Sequence, residues 1–359
     1  MAKTNTGNTS QDPIQVSLLT GFLGSGKTTL LNQLLKHPEM LETAVLINEF
    51  GEIGLDHELI ERVDENTVLL NDGCLCCTVQ GDLVNALSKL YLQRIQKKVP
   101  HFQRVLIETT GLADPAPIIH TLMNAPLVSD RYALDGIIST VDAVNGETIL
   151  NKQLEPVKQV AVADRIVITK SDLSDKSSLK RLENRLSTLN PGAPKEFVIK
   201  GKITPNKLLD TGLYDPKTKT VDVQRWLRDE AYNGISPTRD DLHHEHTHDI
   251  NRHDDSIISF CITRDKPLDW EAFVAWIRIL IGKYGEQLLR IKGILNISGR
   301  SNPIAIHGVQ HLFHDPIELS KWESDDRRSR LVFITRDLER RVIEEKLESL
   351  IEQAETLDS

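Results

Sequence analysis

Long apolar runs are missing from this chain of 359 residues. None approaches the ~20 consecutive apolar residues that a membrane-crossing helix needs. The stretch from Met1 to Asp12 is polar and has no apolar core of the kind a secretory leader carries. Positive charge is also short: 43 Lys and Arg stand against 52 Asp and Glu, a formal net charge of -9. A protein that tracks a nucleic-acid backbone needs the opposite balance, so nucleic acid is disfavoured as the main partner. There are only 4 cysteines, and Cys74, Cys76 and Cys77 sit almost side by side. A disulfide framework spreads its cysteines over the fold, whereas this spacing fits a metal or redox site in a reducing compartment. No internal repeat is visible. With 39% hydrophobic and 26% charged residues, wholesale disorder is excluded as well. These absences point to a soluble, cytoplasmic protein long enough for two cores.

What is present divides into three parts. Residues 1–201 alternate short β-branched runs with helical periodicity, the pattern of a mostly parallel sheet with helices on both faces. Strands are expected at Ile14–Thr20, Ala44–Ile47, Thr67–Leu70, Val105–Glu108, Gly136–Val141, Arg165–Thr169 and Glu196–Ile199. Helical patterns between them include Thr28–Lys36, Leu83–Gln96 and Ser177–Ser187. Residues 202–255 are polar, with scattered Pro and Gly and the run His243-His244-Glu245-His246-Thr247-His248, and read as a linker. Residues 256–359 return to regular structure. Strand Ser256–Arg264, helix Asp269–Tyr284, strands Leu289–Ile297, Ala305–Phe313 and Leu331–Thr335, and helix Leu338–Gln353 suggest a smaller α+β domain with its helices on one face.

Gly21-Phe22-Leu23-Gly24-Ser25-Gly26-Lys27-Thr28 matches G-x-x-x-x-G-K-[ST], the P-loop. An apolar strand precedes it and an apolar-periodic helix follows, which is the context this motif requires. Gly21, Gly24 and Gly26 let the backbone curl so that N–H groups around Ser25 and Thr29 can face phosphate oxygens at a helix N-terminus. Lys27 is expected to reach the β- and γ-phosphates, and the Thr28 hydroxyl to ligate Mg²⁺. Glu108-Thr109-Thr110-Gly111 ends a second apolar strand, where P-loop proteins keep a carboxylate for Mg²⁺ and a mobile segment that senses the γ-phosphate. Glu108 is one methylene longer than the usual Asp, and Gly111 is the candidate γ-phosphate sensor. After a third strand comes Thr169-Lys170-Ser171-Asp172. A carboxylate at Asp172 can accept from guanine N1–H and N2–H₂, which adenine cannot match, and the Lys170 stem can lie along the base. Many GTPases carry Asn where Thr169 stands, and Thr lacks the paired donor and acceptor of an amide.

Asp72-Gly73-Cys74-Leu75-Cys76-Cys77 follows the expected strand Thr67–Leu70. Three thiolates this close can converge on Zn²⁺, with a fourth ligand from elsewhere or from water. Small core residues, a redox pair and a catalytic thiol stand as alternatives. Asn48-Glu49-Phe50-Gly51-Glu52 falls where P-loop GTPases keep a first switch segment. Glu49 joins Lys27 and Glu108 as a candidate catalytic residue, and Glu52 is the candidate fourth zinc ligand. The cluster His243–His248 reads equally as a loose metal site or a solvated linker. His307, His311 and His314 read as surface or core residues, and Cys261 as a packed one.

Taken together these segments, in this order and spacing, resemble the CobW-type GTPases, and within them the YjiA-like members grouped with zinc metallochaperones. UreG and HypB are more distant in resemblance. The likeness extends to Ile291-Lys292-Gly293-Ile294-Leu295 and Ile306-His307-Gly308-Val309-Gln310 in the second domain. It implies slow GTP hydrolysis coupled to delivery of a metal, usually zinc, to client metalloproteins. It also implies Cys74, Cys76 and Cys77 as the metal site, Gly24 to Thr29 as the phosphate site and Asp172 as the guanine reader. GTP, Mg²⁺ and Zn²⁺ are thus the expected small partners, and a nucleotide- or metal-dependent homo-oligomer is a further expectation. Two other readings stay open: a non-catalytic zinc reservoir or sensor, and an ATP-dependent P-loop enzyme.

Overall fold

The computed structural model describes residues 13–48, 68–70, 79–209, 227, 232, 257–322 and 324–357. In the first part, β1 (Ile14–Gly21), β2 (Thr43–Asn48), β3 (Val68–Leu70), β4 (Arg104–Thr109), β5 (Tyr132–Asp142), β6 (Arg165–Thr169) and β7 (Lys195–Val198) form one sheet. Their order is β3-β2-β4-β1-β5-β6-β7 and every described pair is parallel. Parallel strands need crossovers, and among the described residues helices supply them: α1 (Lys27–Leu35), α2 (Val79–Ile95), α3 (Ala116–Asn124), α4 (Pro126–Ser129), α5 (Gly146–Lys152), α6 (Leu154–Ala161) and α7 (Lys176–Leu189).

The near-continuous apolar strands are explained by burial on both faces. Val16 and Leu18 of β1, Ala44 and Leu46 of β2, and Val105 and Ile107 of β4 pack with Leu83, Leu87 and Leu90 of α2 and Ile118 and Ile119 of α3. The alternate residues Leu19, Val45 and Leu106 face the other way, onto Leu30, Leu31 and Leu34 of α1. Ile166 and Ile168 of β6 meet α6 and α7 through Val157, Val160, Leu182 and Leu186. Each of these fully buried leucines contributes about 2–5 kcal/mol as judged by truncation to Ala in comparable cores.

The second part is a five-strand antiparallel path, β11-β10-β9-β13-β8, with β12 paired to β10. Its strands are β8 (Ile257–Arg264), β9 (Leu288–Leu295), β10 (Ile304–Val309), β11 (Leu312–Phe313), β12 (Ile317–Glu318) and β13 (Ser329–Arg336). One face carries α8 (Trp270–Tyr284) and α9 (Arg340–Leu357), whose Trp276, Leu280, Ile343 and Leu347 pack on Phe260, Phe333 and Ile291. Both helices therefore lie on one face, as the sequence suggests. The expected single strand Ala305–Phe313 is broken. Gln310 takes a left-handed φ of 54°, so the chain reverses and Val309 pairs with Leu312. A tight hairpin needs such a residue, and the absence of Gly there hides the turn from sequence reading.

The other face of this sheet does not meet water. Cys261, Ile294, Ala305, Val332 and Ile334 form one core with Leu150, Val160, Leu182 and Leu186 of the first part. Leu227 and Tyr232, from the segment read as a linker, belong to the same core, and Leu208 and Leu209 pack beneath α1. At the centre of this junction Asp164 is buried. Its carboxylate accepts from Arg290, from Lys292 at 2.8 Å and from the Ile137 N–H at 3.0 Å. Arg290 also donates to the Val162 carbonyl at the end of α6. Burial alone would raise the Asp164 pKa, but Arg290 and Lys292 outweigh it and hold the carboxyl below the usual carboxylate range. Burial and the neighbouring Arg290 push Lys292 down to about 8. Among the described residues no helix is long and apolar enough to cross a membrane.

Candidate nucleotide site

Because β1, β4, β5 and β6 are parallel, the loops at their carboxyl ends gather along one edge of the sheet, where open α/β sheets bind ligands. The loop between β1 and α1 turns through Gly24 and Gly26, whose φ values of 70° and 92° are left-handed. This is the conformation that lets successive N–H groups line a concave nest. It opens directly into the first turn of α1, where the N–H groups of Lys27, Thr28 and Thr29 have no intrahelical acceptor. An anion is the natural partner of that geometry.

Side chains brace the loop from below. Lys27 is 8% exposed and its Nζ donates to the carbonyls of Gly21 at 2.9 Å and Phe22 at 3.2 Å. Ser25 Oγ and Thr140 Oγ1 lie 2.6 Å apart. The Thr169 hydroxyl donates to the Ser25 carbonyl at 2.7 Å, so the residue standing in place of Asn ties the phosphate loop to β6. Lys170 has a left-handed φ of 54°, and its ammonium donates to the Gly24 carbonyl and to Asp142, each at 2.8 Å. Burial by itself would raise the Asp142 pKa. Hydrogen bonds from Lys170, the Val144 N–H and Asn145 overcome it and hold the carboxyl below its ordinary value. Asp172 is exposed on the turn Ser171–Leu173 that follows.

The end of β4 approaches from the opposite side. Thr28 Oγ1 donates to Glu108 Oε1 at 2.8 Å, and Glu108 is 5% exposed. Two hard oxygen donors therefore face each other across the mouth of the loop, a set suited to Mg²⁺. Gly111 lies against the phosphate loop so closely that an added Cβ would come within 2.5 Å of the Leu23 nitrogen and 2.7 Å of its Cα. Only glycine fits there. The structure thus brings together Gly21, Gly24, Ser25, Gly26, Lys27, Thr28, Thr29, Glu108, Gly111, Thr169 and Lys170, with Asp172 on the adjoining turn. Asp142, Thr140 and Gln159 are site-edge residues that sequence reading passes over. Asp142 alone leaves a trace, a carboxylate at the end of an apolar strand.

Glu49, Glu52, Cys74, Cys76, Cys77 and the run His243–His248 lie outside the described residues. In sequence the two glutamates follow β2 and the cysteines follow β3, and these strands are parallel neighbours, with Leu46 opposite Leu70. Among the described residues no three His, Cys, Asp or Glu side chains come together as a metal-binding group. His307 and His314 stack on each other at 5.2 Å in the junction. Cys261 is buried.

Residues 15–196 match the nucleotide-binding domain described as CobW/HypB/UreG, and residues 257–351 match the CobW C-terminal domain. The chain belongs to the CobW/HypB/UreG family. Within it, the chain is 34% identical over 323 residues to the zinc chaperone YjiA of Escherichia coli, covering 90% of this chain and 94% of that protein. It is 29% identical over 320 residues to zinc-regulated GTPase metalloprotein activator 1 of Schizosaccharomyces pombe, covering 84% and 76%. The crystal structure of Zn(II)-bound YjiA GTPase from E. coli is similar at a TM-score of 0.67 and 30% identity, over 95% of this chain and 99% of that one. The P-loop domain and the antiparallel second domain are thus the CobW-family arrangement, with both parts in the same order.

Proposed function

We propose that this protein is a GTP-hydrolysing metallochaperone that carries Zn²⁺ on Cys74, Cys76 and Cys77, with Glu52 as fourth ligand, and passes it to client metalloproteins in the cytoplasm. The observation that carries the reading is the convergence of Lys27, the Thr28–Glu108 pair and Gly111 at the mouth of the phosphate loop. The names of the two relatives, a zinc chaperone and a zinc-regulated GTPase, support the same reading.

Thr28 and Glu108 would hold Mg²⁺, which when bound neutralises charge on the β- and γ-phosphates. Lys27 supplies a fixed cation from the floor of the loop, where charge develops as the γ-phosphoryl group transfers. The Gly111 N–H reports whether that group is still attached. Glu49, just beyond β2, completes the catalytic set. Asp172 selects guanine, because its carboxylate accepts from both guanine donors and is left unpaired by adenine. The metal segment and the first switch segment leave neighbouring strands, so loss of the γ-phosphate displaces Glu52 and loosens the cargo.

The test is zinc titration against a competing chelator, with either GDP or a non-hydrolysable GTP analogue bound. Zinc affinity should differ at least about five-fold between the two states, and by linkage zinc should shift analogue affinity by the same factor. Cys76→Ser/Cys77→Ser should abolish tight binding in both. Equal affinity in the two states would leave a zinc reservoir and defeat the coupled chaperone.

A further inference from the structure

The segment that follows Glu108 is held by a helix that plays no part in the phosphate loop. Gln159, fully buried on α6, donates through Nε2 to the Gly111 carbonyl at 3.2 Å and to the Ala113 carbonyl at 3.0 Å. Its Oε1 has no protein partner. A buried amide carries a desolvation cost that an apolar side chain of the same size avoids. Packing therefore does not account for Gln159, whereas its two hydrogen bonds to the Gly111 segment do.

The neighbouring residue makes a second attachment. Lys158 Nζ donates to Asp114 Oδ2 at 2.8 Å, and the same oxygen accepts from Gln310 of the second domain at 3.4 Å. The other oxygen of Asp114 accepts from the Ala116 N–H and so starts α3. Gln310 is the left-handed residue that turns β10 into β11. One turn beyond Gln159, the Val162 carbonyl is gripped by Arg290. The helix α6 is thus tied to the Gly111 segment through Lys158 and Gln159 and to the second domain at its end. A small cavity lined by Phe22, Leu23 and Gln159 lies between α6 and the phosphate loop.

We propose that Gln159 is a positioning residue for nucleotide turnover, and that α6 couples the position of Gly111 to the seating of the second domain through Asp114, Lys158 and Gln310. The inference rests on the reading of Gly111 as the γ-phosphate sensor. Gln159 touches no substrate; it holds the carbonyl of the residue whose N–H does. Gly111 already packs against Leu23, and Asp114 already accepts from Lys158 and Gln310, so the γ-phosphate adds one more contact to a segment these bonds hold in place. With GDP that added contact is missing, while the bonds from α6 and from the turn of β10–β11 remain.

The experiment compares the parent with Gln159→Met, an apolar isostere that removes both donations, and with Gln310→Asn. The Asn tolerates the left-handed turn but is a methylene too short to reach Asp114. Affinities for GDP and for a non-hydrolysable GTP analogue are measured together with kcat and KM for GTP, and with melting temperature in the absence of nucleotide. Two neutral hydrogen bonds correspond to about a ten-fold effect. Gln159→Met should lower analogue affinity and kcat/KM by about that factor while GDP affinity stays within about two-fold. Gln310→Asn should move the same preference in the same direction by about three-fold, with an unchanged melting temperature. If analogue and GDP affinities fall in parallel, or if neither variant changes the preference, Gln159 is a packing residue and the inference is wrong. A parent protein that hydrolyses no GTP would instead overturn the underlying functional reading, and this inference with it.

Discussion

Lys27 and Asp164 are equally buried, each 8% exposed, yet their surroundings answer charge in different ways. Lys27 donates to the carbonyls of Gly21 and Phe22, within its own loop. Asp164 is met by Arg290 and Lys292, more than a hundred residues away in a different domain. A carbonyl dipole steadies an ammonium group without cancelling it, whereas a guanidinium and an ammonium together more than cancel a carboxylate. One set of bonds lies within the phosphate loop; the other joins two domains. The difference separates function from architecture in a molecule where burial alone does not.

That separation can be broken by experiment. Asp164→Ala leaves Arg290 and Lys292 buried without their countercharge, so unfolding stability should fall by about 3–5 kcal/mol, read as a lower urea midpoint. Nucleotide affinity of the folded fraction should stay near that of the parent. An unchanged midpoint would mean that the junction charges are not structural.

The mirror experiment is Lys27→Ala. It should reduce GTP turnover at least about a hundred-fold, because a fixed charge aimed at the transferring group is lost. The urea midpoint should move less than for Asp164→Ala, since the Lys27 ammonium donates to the carbonyls of Gly21 and Phe22 in its own loop. Near-parental turnover would remove the P-loop from the catalytic account.

The smallest effect is a pH dependence confined to the junction. Burial and the nearby Arg290 hold His307 well below the usual histidine value, and burial takes His314 down to about 4. The unfolded chain binds protons at these groups near pH 6.5 while the native chain does not, so stability rises with pH through this range. The contribution is complete above about pH 6.5 and is lost as the pH falls toward 4. Melting temperature should therefore drop by a few degrees between pH 7 and pH 5, and His307→Gln/His314→Gln should flatten the profile. A profile unchanged by the substitutions would place the acid sensitivity elsewhere.

The P-loop was readable because its whole chemistry is contiguous, eight residues between a strand and a helix that each announce themselves. Both sheets were readable for a similar reason, from apolar alternation and apolar runs. Gln159, Asp114 and Asp164 carry no such local sign. Most of their partners stand 44 to 196 residues distant, and only the folded topology brings them together. Thr169 shows a subtler limit. Sequence comparison with an Asn invites a loss of base contact, while the structure gives its hydroxyl a positive task, the tether to the Ser25 carbonyl. Gln310 hid a chain reversal because the residue in the left-handed position is not a glycine.

The second sheet, buried on both faces, also sets a schedule for synthesis. Asp164 precedes Arg290 by 126 residues, so at ribosomal speeds the carboxylate leaves the ribosome roughly 6 to 25 s before its guanidinium. Throughout that interval Val160, Leu182 and Leu186 have no Val332 or Ile334 to cover them. The nascent first domain therefore carries a sticky apolar flank with an uncompensated charge at its centre, and it is this half-made intermediate, more than the finished protein, that needs shielding from aggregation in the cell.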